Sequence, residues 1–502
     1  MTPRAAACVA VLVAGVLACA STGADPEVGA RAPRGGVELP LLEGPPRSPG
    51  RVVLVSIAGL TPGAYLSPRR SMPTLATLAH AGVAADALVP VTPASTYPAH
   101  ASLVTGRTPD GHGVVGDLLL GDHGVRNVRY WHASRMQAVP IWQVAREASL
   151  SVAALGWPST LGASIDFLVP DVVPVRRGET WMGVLQGNTT PWLLEHLHQL
   201  APEEAGASWP SARERDALLV DTACEIAAAP SPPQLWLLHL VQTGLALAQY
   251  GPAGEGARAA FGRADAELRR LVDCFGRAGL LDSTAILVVG DRSLEAVHTR
   301  LDPNVALWRA GLIMADPRTD TGIRSWLAIA RSNGGSAFVY ARSEAEAVDA
   351  RDVLLEESRR TKAFRIVPAR ELQALHADPQ AWFGLEAEPG FRFGDGIRPP
   401  AMRSTADRAA GGYLPSRSAP AAPAGFVAWG PGLRRGLRVP LLQQADVAPT
   451  VAALLGLHLP DVDGRALIGA LTIEPPNVAA DAPGRALLPL GRSGVGSGEG
   501  VR

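Results

Sequence analysis

Lysine is nearly missing from this chain. Lys362 is the one lysine among 46 basic residues, and Ala, Gly and Pro are abundant throughout. That skew reflects codon bias and says little about function. Neither charge is in excess: Lys+Arg 46 against Asp+Glu 47 gives a formal net charge of -1. No general field therefore draws the protein to nucleic acid or to an anionic membrane surface. Cysteine is scarce, with four in all. No repeat of 20 to 50 residues is apparent. What is present is ordinary for a globular protein, with 502 residues, 47% hydrophobic and 19% charged. Such a chain can bury a large core in one big domain or two moderate ones.

The N-terminus has its own signature. Arg4 precedes an apolar run from Ala5 to Ala18, too short to span a bilayer as a mature helix and typical of a signal peptide. Val16-Leu17-Ala18-Cys19 resembles a bacterial lipobox, although Leu17 is bulkier than the usual residue there. Residues 1–19 are thus read as a signal peptide with a lipobox and Cys19 as a lipidation site, with simple cleavage near Ala20 as the alternative. One lipid-modified terminus anchors a protein without spanning the membrane. The expected location is the periplasmic face of a bacterial membrane, the outer one because Ala20 is not acidic. Residues 20–50 are rich in Gly, Pro and charge and read as a flexible tether, and residues 476–502 as a disordered tail. Cys224 and Cys274 remain in the mature part. An oxidising compartment permits a disulfide between them, and two separate buried thiols are the other reading.

Arg51 to Ile57 is an almost continuous β-branched apolar run without polar alternation, as expected of a strand covered on both faces. Similar runs occur at Val152 to Trp157, Gln234 to Val241, Ala285 to Val289 and Gly425 to Trp429. Helical patterns lie at Pro73 to His80, Pro140 to Ala148, Ala212 to Ala228, Ala257 to Ala278 and Ala445 to Leu455. The alternation predicts an α/β fold with a mostly parallel central sheet and helices on both faces. Residues 296–424 break the rhythm and read as a smaller inserted subdomain within a domain of residues 51–475.

Parallel sheets hold ligands at the carboxyl ends of their strands. Here those ends are bare: the first runs into Ala58-Gly59, the central one into Gln242 to Ala248, and the next into Asp291-Arg292. Ser95-Thr96-Tyr97-Pro98 opens an apolar helical stretch closed by Gly106. Thr96 reads either as the N-cap, which the local sequence favours, or as a nucleophile in the positive field of a helix N-terminus.

Ser95 to Gly106, continued by Thr108-Pro109-Asp110-Gly111-His112-Gly113, resembles the type I phosphodiesterase/nucleotide pyrophosphatase family of the alkaline phosphatase superfamily. Further echoes follow in order at Pro140-Ile141-Trp142, Trp157-Pro158, Tyr250-Gly251-Pro252, Gly335 to Tyr340, Trp429 to Gly432 and Asp446 to Thr450. The resemblance covers about Arg51 to Leu467. It implies a three-layer α/β/α alkaline phosphatase-like fold and a hydrolase with two zinc ions, in which Thr96 matches the nucleophile and six Asp and His side chains hold the metals. Of those six positions Asp291 alone keeps its ligand. The others are Ala58, Gly244, Ala248, Arg292 and Gly411, and the oxyanion-side Asn is Ala99.

Zinc needs three or four N, O or S donors at roughly 2.0 to 2.3 Å, so no zinc is expected as cofactor. Without a metal, Thr96 is an ordinary alcohol. His100, His112 and His239 read as packing or core histidines, and His196 and His198 face different ways on their helix. Arg292 either neutralises Asp291 or joins Thr96 in a metal-free anion site. The resemblance and its losses together imply a pseudoenzyme with a binding or scaffolding role toward an unknown protein or a small anionic ligand. The alternative is a phosphate-ester hydrolase that uses Thr96 with a reduced metal site.

Overall fold

The computed structural model describes residue 39 and residues 48–202, 209–319, 321–415 and 422–473. The signal segment with Cys19, nearly all of the 20–50 tether and the 476–502 tail lie outside the described residues.

Eight strands make the central sheet: β1 (Arg51–Ile57), β2 (Val83–Ala85), β3 (Val152–Leu155), β4 (Phe167–Val169), β5 (Leu235–Leu240), β6 (Thr284–Gly290), β7 (Phe426–Trp429) and β8 (Leu437–Val439). Their order is β8-β2-β7-β6-β1-β5-β3-β4. β7 alone runs against the others, pairing antiparallel with both β2 and β6. The Tyr65 hydroxyl clamps β7 in place, accepting from the Phe426 N–H at 3.0 Å and donating to its carbonyl at 3.3 Å.

The continuous apolar strands arise because both sheet faces are covered. Val53, Val55 and Ile57 of β1 enter one core and Val52 and Leu54 the other. Helices α1 (Pro73–Ala81), α3 (Ala212–Ala227) and α5 (Glu255–Arg277) pack into the first core; α2 (Thr96–Thr105) and α6 (Val447–Leu454) pack into the second. In α5 the buried Phe261, Ala264, Leu268, Leu271 and Phe275 recur every three or four residues, the stripe of a helix docked on a sheet. A capping box of Ser211 and Glu214 starts α3. Cys224 in α3 and Cys274 in α5 are bonded, with Cα atoms 5.6 Å apart. The helix α4 (Gln242–Tyr250) follows β5 directly.

The run read as a strand to Trp157 stops at Leu155, because Gly156 turns the chain at φ 66. The short strands β2, β4 and β8 had no sequence signal, since three residues cannot display a period of two.

Between β6 and β7 the chain leaves the central sheet. Strands Ala328–Ser332, Ser336–Ala341, Phe383–Ala387 and Phe364–Pro368 lie side by side in that order, all antiparallel. Helix Glu344–Thr361 backs them, and Phe338, Leu354, Phe383 and Leu385 fill a separate core. This unit supplies one wall of the cleft at the carboxyl ends of β1, β5 and β6. Among the described residues no helix is long and apolar enough to cross a membrane.

Candidate functional site

The cleft is a cavity of about 470 Å³ that brings together Thr96, Ala58, Gly244, Ala248, Arg292 and Gly411. Asp291, fully buried, lies at the end of β6 beneath Arg292. Cys19 is outside the described residues. His196 and His198 sit on the separate helix Pro191–Leu200.

On the side of β1 and α4, the site has closed up. The Thr243 hydroxyl donates to the Ala58 carbonyl at 2.6 Å and draws the start of α4 onto the end of β1. A Cβ placed on Gly244 would lie 2.9 Å from the Ala58 Cβ. Two metal-binding carboxylates cannot project from positions so close without the backbone moving apart. Asp216 accepts from the Val241 and Gln242 N–H groups at 2.8 and 3.0 Å, fixing that approach from below. Burial pushes its carboxyl up to about 6.

On the side of β6 the replacement is polar. Nη1 of Arg292 donates both to the Asp291 carboxylate and to the Thr96 hydroxyl. The other Asp291 oxygen accepts from the Gly59 N–H at 2.8 Å. Gln444 supports the turn, donating to the Asp291 carbonyl at 2.9 Å while accepting from the Val91 N–H at 3.1 Å. A Cβ on Gly411 would meet Arg292 Cδ at 2.8 Å and Nε at 3.1 Å. The guanidinium thus occupies the space that a side chain at 411 would need: a long residue at 292 fits because residue 411 has none.

Thr96 is the first helical residue of α2. The N-cap is Ser95, whose side chain makes no cap bond, so the reading of Thr96 as the cap is corrected. The extended backbone of Ser95 turns the Thr96 hydroxyl toward Arg292 instead of back toward the helix. A guanidinium cannot take a proton at any accessible pH, so this contact does not activate the hydroxyl. His100 does not serve as its base either: its Nδ1 is bonded to the Thr96 backbone carbonyl at 2.7 Å.

The three buried histidines differ. His112 is satisfied, accepting from the Val114 N–H at Nδ1 and bonded to Ser102 Oγ at Nε2, 3.0 Å. Burial pushes it down to about 3 despite nearby Asp110 and Asp463. His100 and His239 are also held neutral by burial. Yet Nε2 of His100 and both ring nitrogens of His239 lack a hydrogen bond of good geometry. Their rings lie 4.2 Å apart, and with Asp291 they present ligand atoms all within 4.8 Å of one another. Sequence reasoning took them for packing residues and missed this meeting. The one available signal was that His239 is the second-to-last residue of the central strand, close to its carboxyl end.

The six-ligand, two-zinc set does not fit this site. Five positions carry no donor, Gly244 and Ala58 leave no room for one, and Arg292 brings a positive charge onto the remaining carboxylate.

The layered sheet, its topology and the cleft beyond β1, β5 and β6 define an alkaline phosphatase-like fold. A family model described as type I phosphodiesterase/nucleotide pyrophosphatase matches residues 52–409, and the chain belongs to that family. Among curated proteins it is similar to ectonucleotide pyrophosphatase/phosphodiesterase family member 1. Identity is 25% over 148 residues of the rat protein, covering 27% of this chain and 16% of that one. With the human protein it is 21% over 234 residues, covering 45% and 21%. The chain thus spans about a fifth or less of these relatives. Among solved structures it resembles human ectonucleotide pyrophosphatase/phosphodiesterase 5, with TM-score 0.59 and 16% identity over 84% of this chain and 99% of that one. An inactive variant of the murine protein in complex with AMP gives 0.59, 17%, 84% and 99%. At such identities the likeness speaks for the fold.

Proposed function

We propose that this protein is a non-hydrolytic member of its family that binds a small anion in the cleft through Arg292 and Thr96. The observation that carries this reading is the guanidinium of Arg292 bonded at once to Asp291 and Thr96, in space left free by Gly411. It supplies fixed positive charge beside the hydroxyl at a cavity wall, and a planar guanidinium suits phosphate or carboxylate oxygens. Two further pairs, Arg215 with Asp171 at 2.5 Å and Arg392 with Asp407, flank the cavity. The same reading makes the protein exported and anchored through lipid on Cys19. Loss of detergent-phase partitioning in Cys19→Ser is the outcome expected there.

Calorimetry with inorganic phosphate and with AMP, the ligand held by the murine relative, tests the site. Binding is expected in the wild type and absent in Arg292→Gln, and an aryl phosphodiester should stay intact with or without added zinc. Equal binding in the variant would reject the anion site. Hydrolysis that disappears in Thr96→Ala would establish the competing reading, an active phosphate-ester hydrolase.

A further inference from the structure

Beneath the cleft, beside His239 of its lining, lies a group of buried polar atoms that the anion reading leaves unexplained. Residues 235, 237 and 239 of β5 share one sheet face, and the first two enter the same core as α2. His239 therefore points toward α2, where His100 lies one turn after Thr96. In the parallel register His239 stands beside Ser56 of β1. Ser56 Oγ, His100 Nε2 and both nitrogens of His239 are buried without a hydrogen bond of good geometry, with the backbone of Gly156 near the His239 ring. Native interiors leave few such atoms, and each is costly unless a water or ion meets it.

The tautomer of His100 adds direction. Its Nδ1 faces a carbonyl oxygen at 2.7 Å, so that nitrogen carries the proton and Nε2 presents a lone pair. An N–H to a backbone carbonyl is the support usually found behind a metal-binding imidazole. Asp291 accepts one N–H from Gly59 and one from Arg292, and a carboxylate offers about four lone-pair positions. Two remain.

We propose that His100, His239 and Asp291 bind one divalent transition ion of the class that prefers imidazole, such as Zn²⁺ or Co²⁺, with the coordination completed from the cavity. This set shares Asp291 alone with the positions read from the family resemblance. It takes its imidazoles from the first helix after the Ser95 loop and from the central strand. The ligand atoms lie within 4.8 Å of one another, close enough for bonds of about 2.0 to 2.2 Å to reach one ion after a small inward shift of the rings, with His100 the better anchored of the two by its bond to the Thr96 carbonyl.

Titration of the metal-stripped full chain with Co²⁺ tests the site, read by calorimetry and by the visible absorption of four- or five-coordinate cobalt. The expected result is one equivalent bound. His100→Gln and His239→Gln should each weaken binding by more than about 100-fold, beyond the 10- to 100-fold seen for changes behind a ligand, and His112→Gln should leave it in place. Added Zn²⁺ should raise the melting temperature of the wild type, since a ligand of the native state stabilises it, and not that of His239→Gln. That comparison separates lost coordination from a misfolded variant. Absence of binding to the wild type, or equal binding to all three variants, would overturn the proposal. Metal binding should persist in Arg292→Gln, which removes the phosphate site, so the two sites fail separately.

Discussion

The two halves of the cleft are built in opposite ways. Around Ala58, Gly244 and Ala248 the residues are small, and the backbone of α4 has settled onto the end of β1, tied there by the Thr243 hydroxyl. Around Asp291, Arg292, Thr96 and Gly411 a large cation has entered and every neighbour is bonded to it or shaped around it. Small side chains at such positions leave the fold at ease. A charged replacement beside a buried carboxylate makes a new dependence, since neither partner can now be withdrawn alone.

The largest expected effect tests that dependence. Arg292→Gln leaves the fully buried Asp291 carboxylate without its counter-charge and should cost about 3 to 5 kcal/mol of unfolding free energy. Asp291→Asn added to it should recover most of the loss in urea titrations. Equal stability of the single variant and the wild type would mean that the pair is incidental.

A matched pair of insertions sharpens the contrast. Gly411→His forces a side chain into Arg292 Cδ and Nε and should cost about 1 to 3 kcal/mol by overpacking. Arg292→Ala, which removes Cδ and Nε, should relieve that part, so a double-mutant cycle should show a coupling of about 0.5 to 3 kcal/mol. Gly244→Asp meets the Ala58 Cβ instead, and the same second change should not relieve it.

The smallest effect concerns the helix that carries Thr96. His112 is bonded to Ser102 of α2 and titrates at about 3 when folded, against about 6.5 unfolded. The unfolded chain binds more protons between those values, so this group's contribution is complete above pH 6.5 and is lost as pH falls toward 3. From pH 7 to pH 5 the loss is about 2 kcal/mol. Asp216, pushed up to about 6, acts in the opposite direction in both proteins. The stability difference between the two pH values should therefore be about 2 kcal/mol smaller in His112→Gln than in the wild type.

Much of the framework was legible in the sequence because β1, β5 and β6 are apolar on both faces and α5 repeats every three to four residues. The edge strands and the reversed direction of β7 were not legible, since they depend on contacts and not on composition. The residues at the cleft positions could be read from the resemblance, whereas the packing around them could not. That Gly411 makes room for Arg292, or that Gly244 nearly touches Ala58, is a matter of space between distant segments. His239 and His100 likewise look like core residues until the strand register turns one toward the other.

The bond between Cys224 and Cys274 closes a loop with a sequence separation of 50, joining two of the helices that cover one face of the sheet. On the chain-entropy account such a loop removes about 4 kcal/mol of freedom from the denatured ensemble. The helical pair on that face thus begins each folding attempt already tied together, so the protein's equilibrium with its denatured chain depends on the thiol chemistry of the surroundings in which that chain was made.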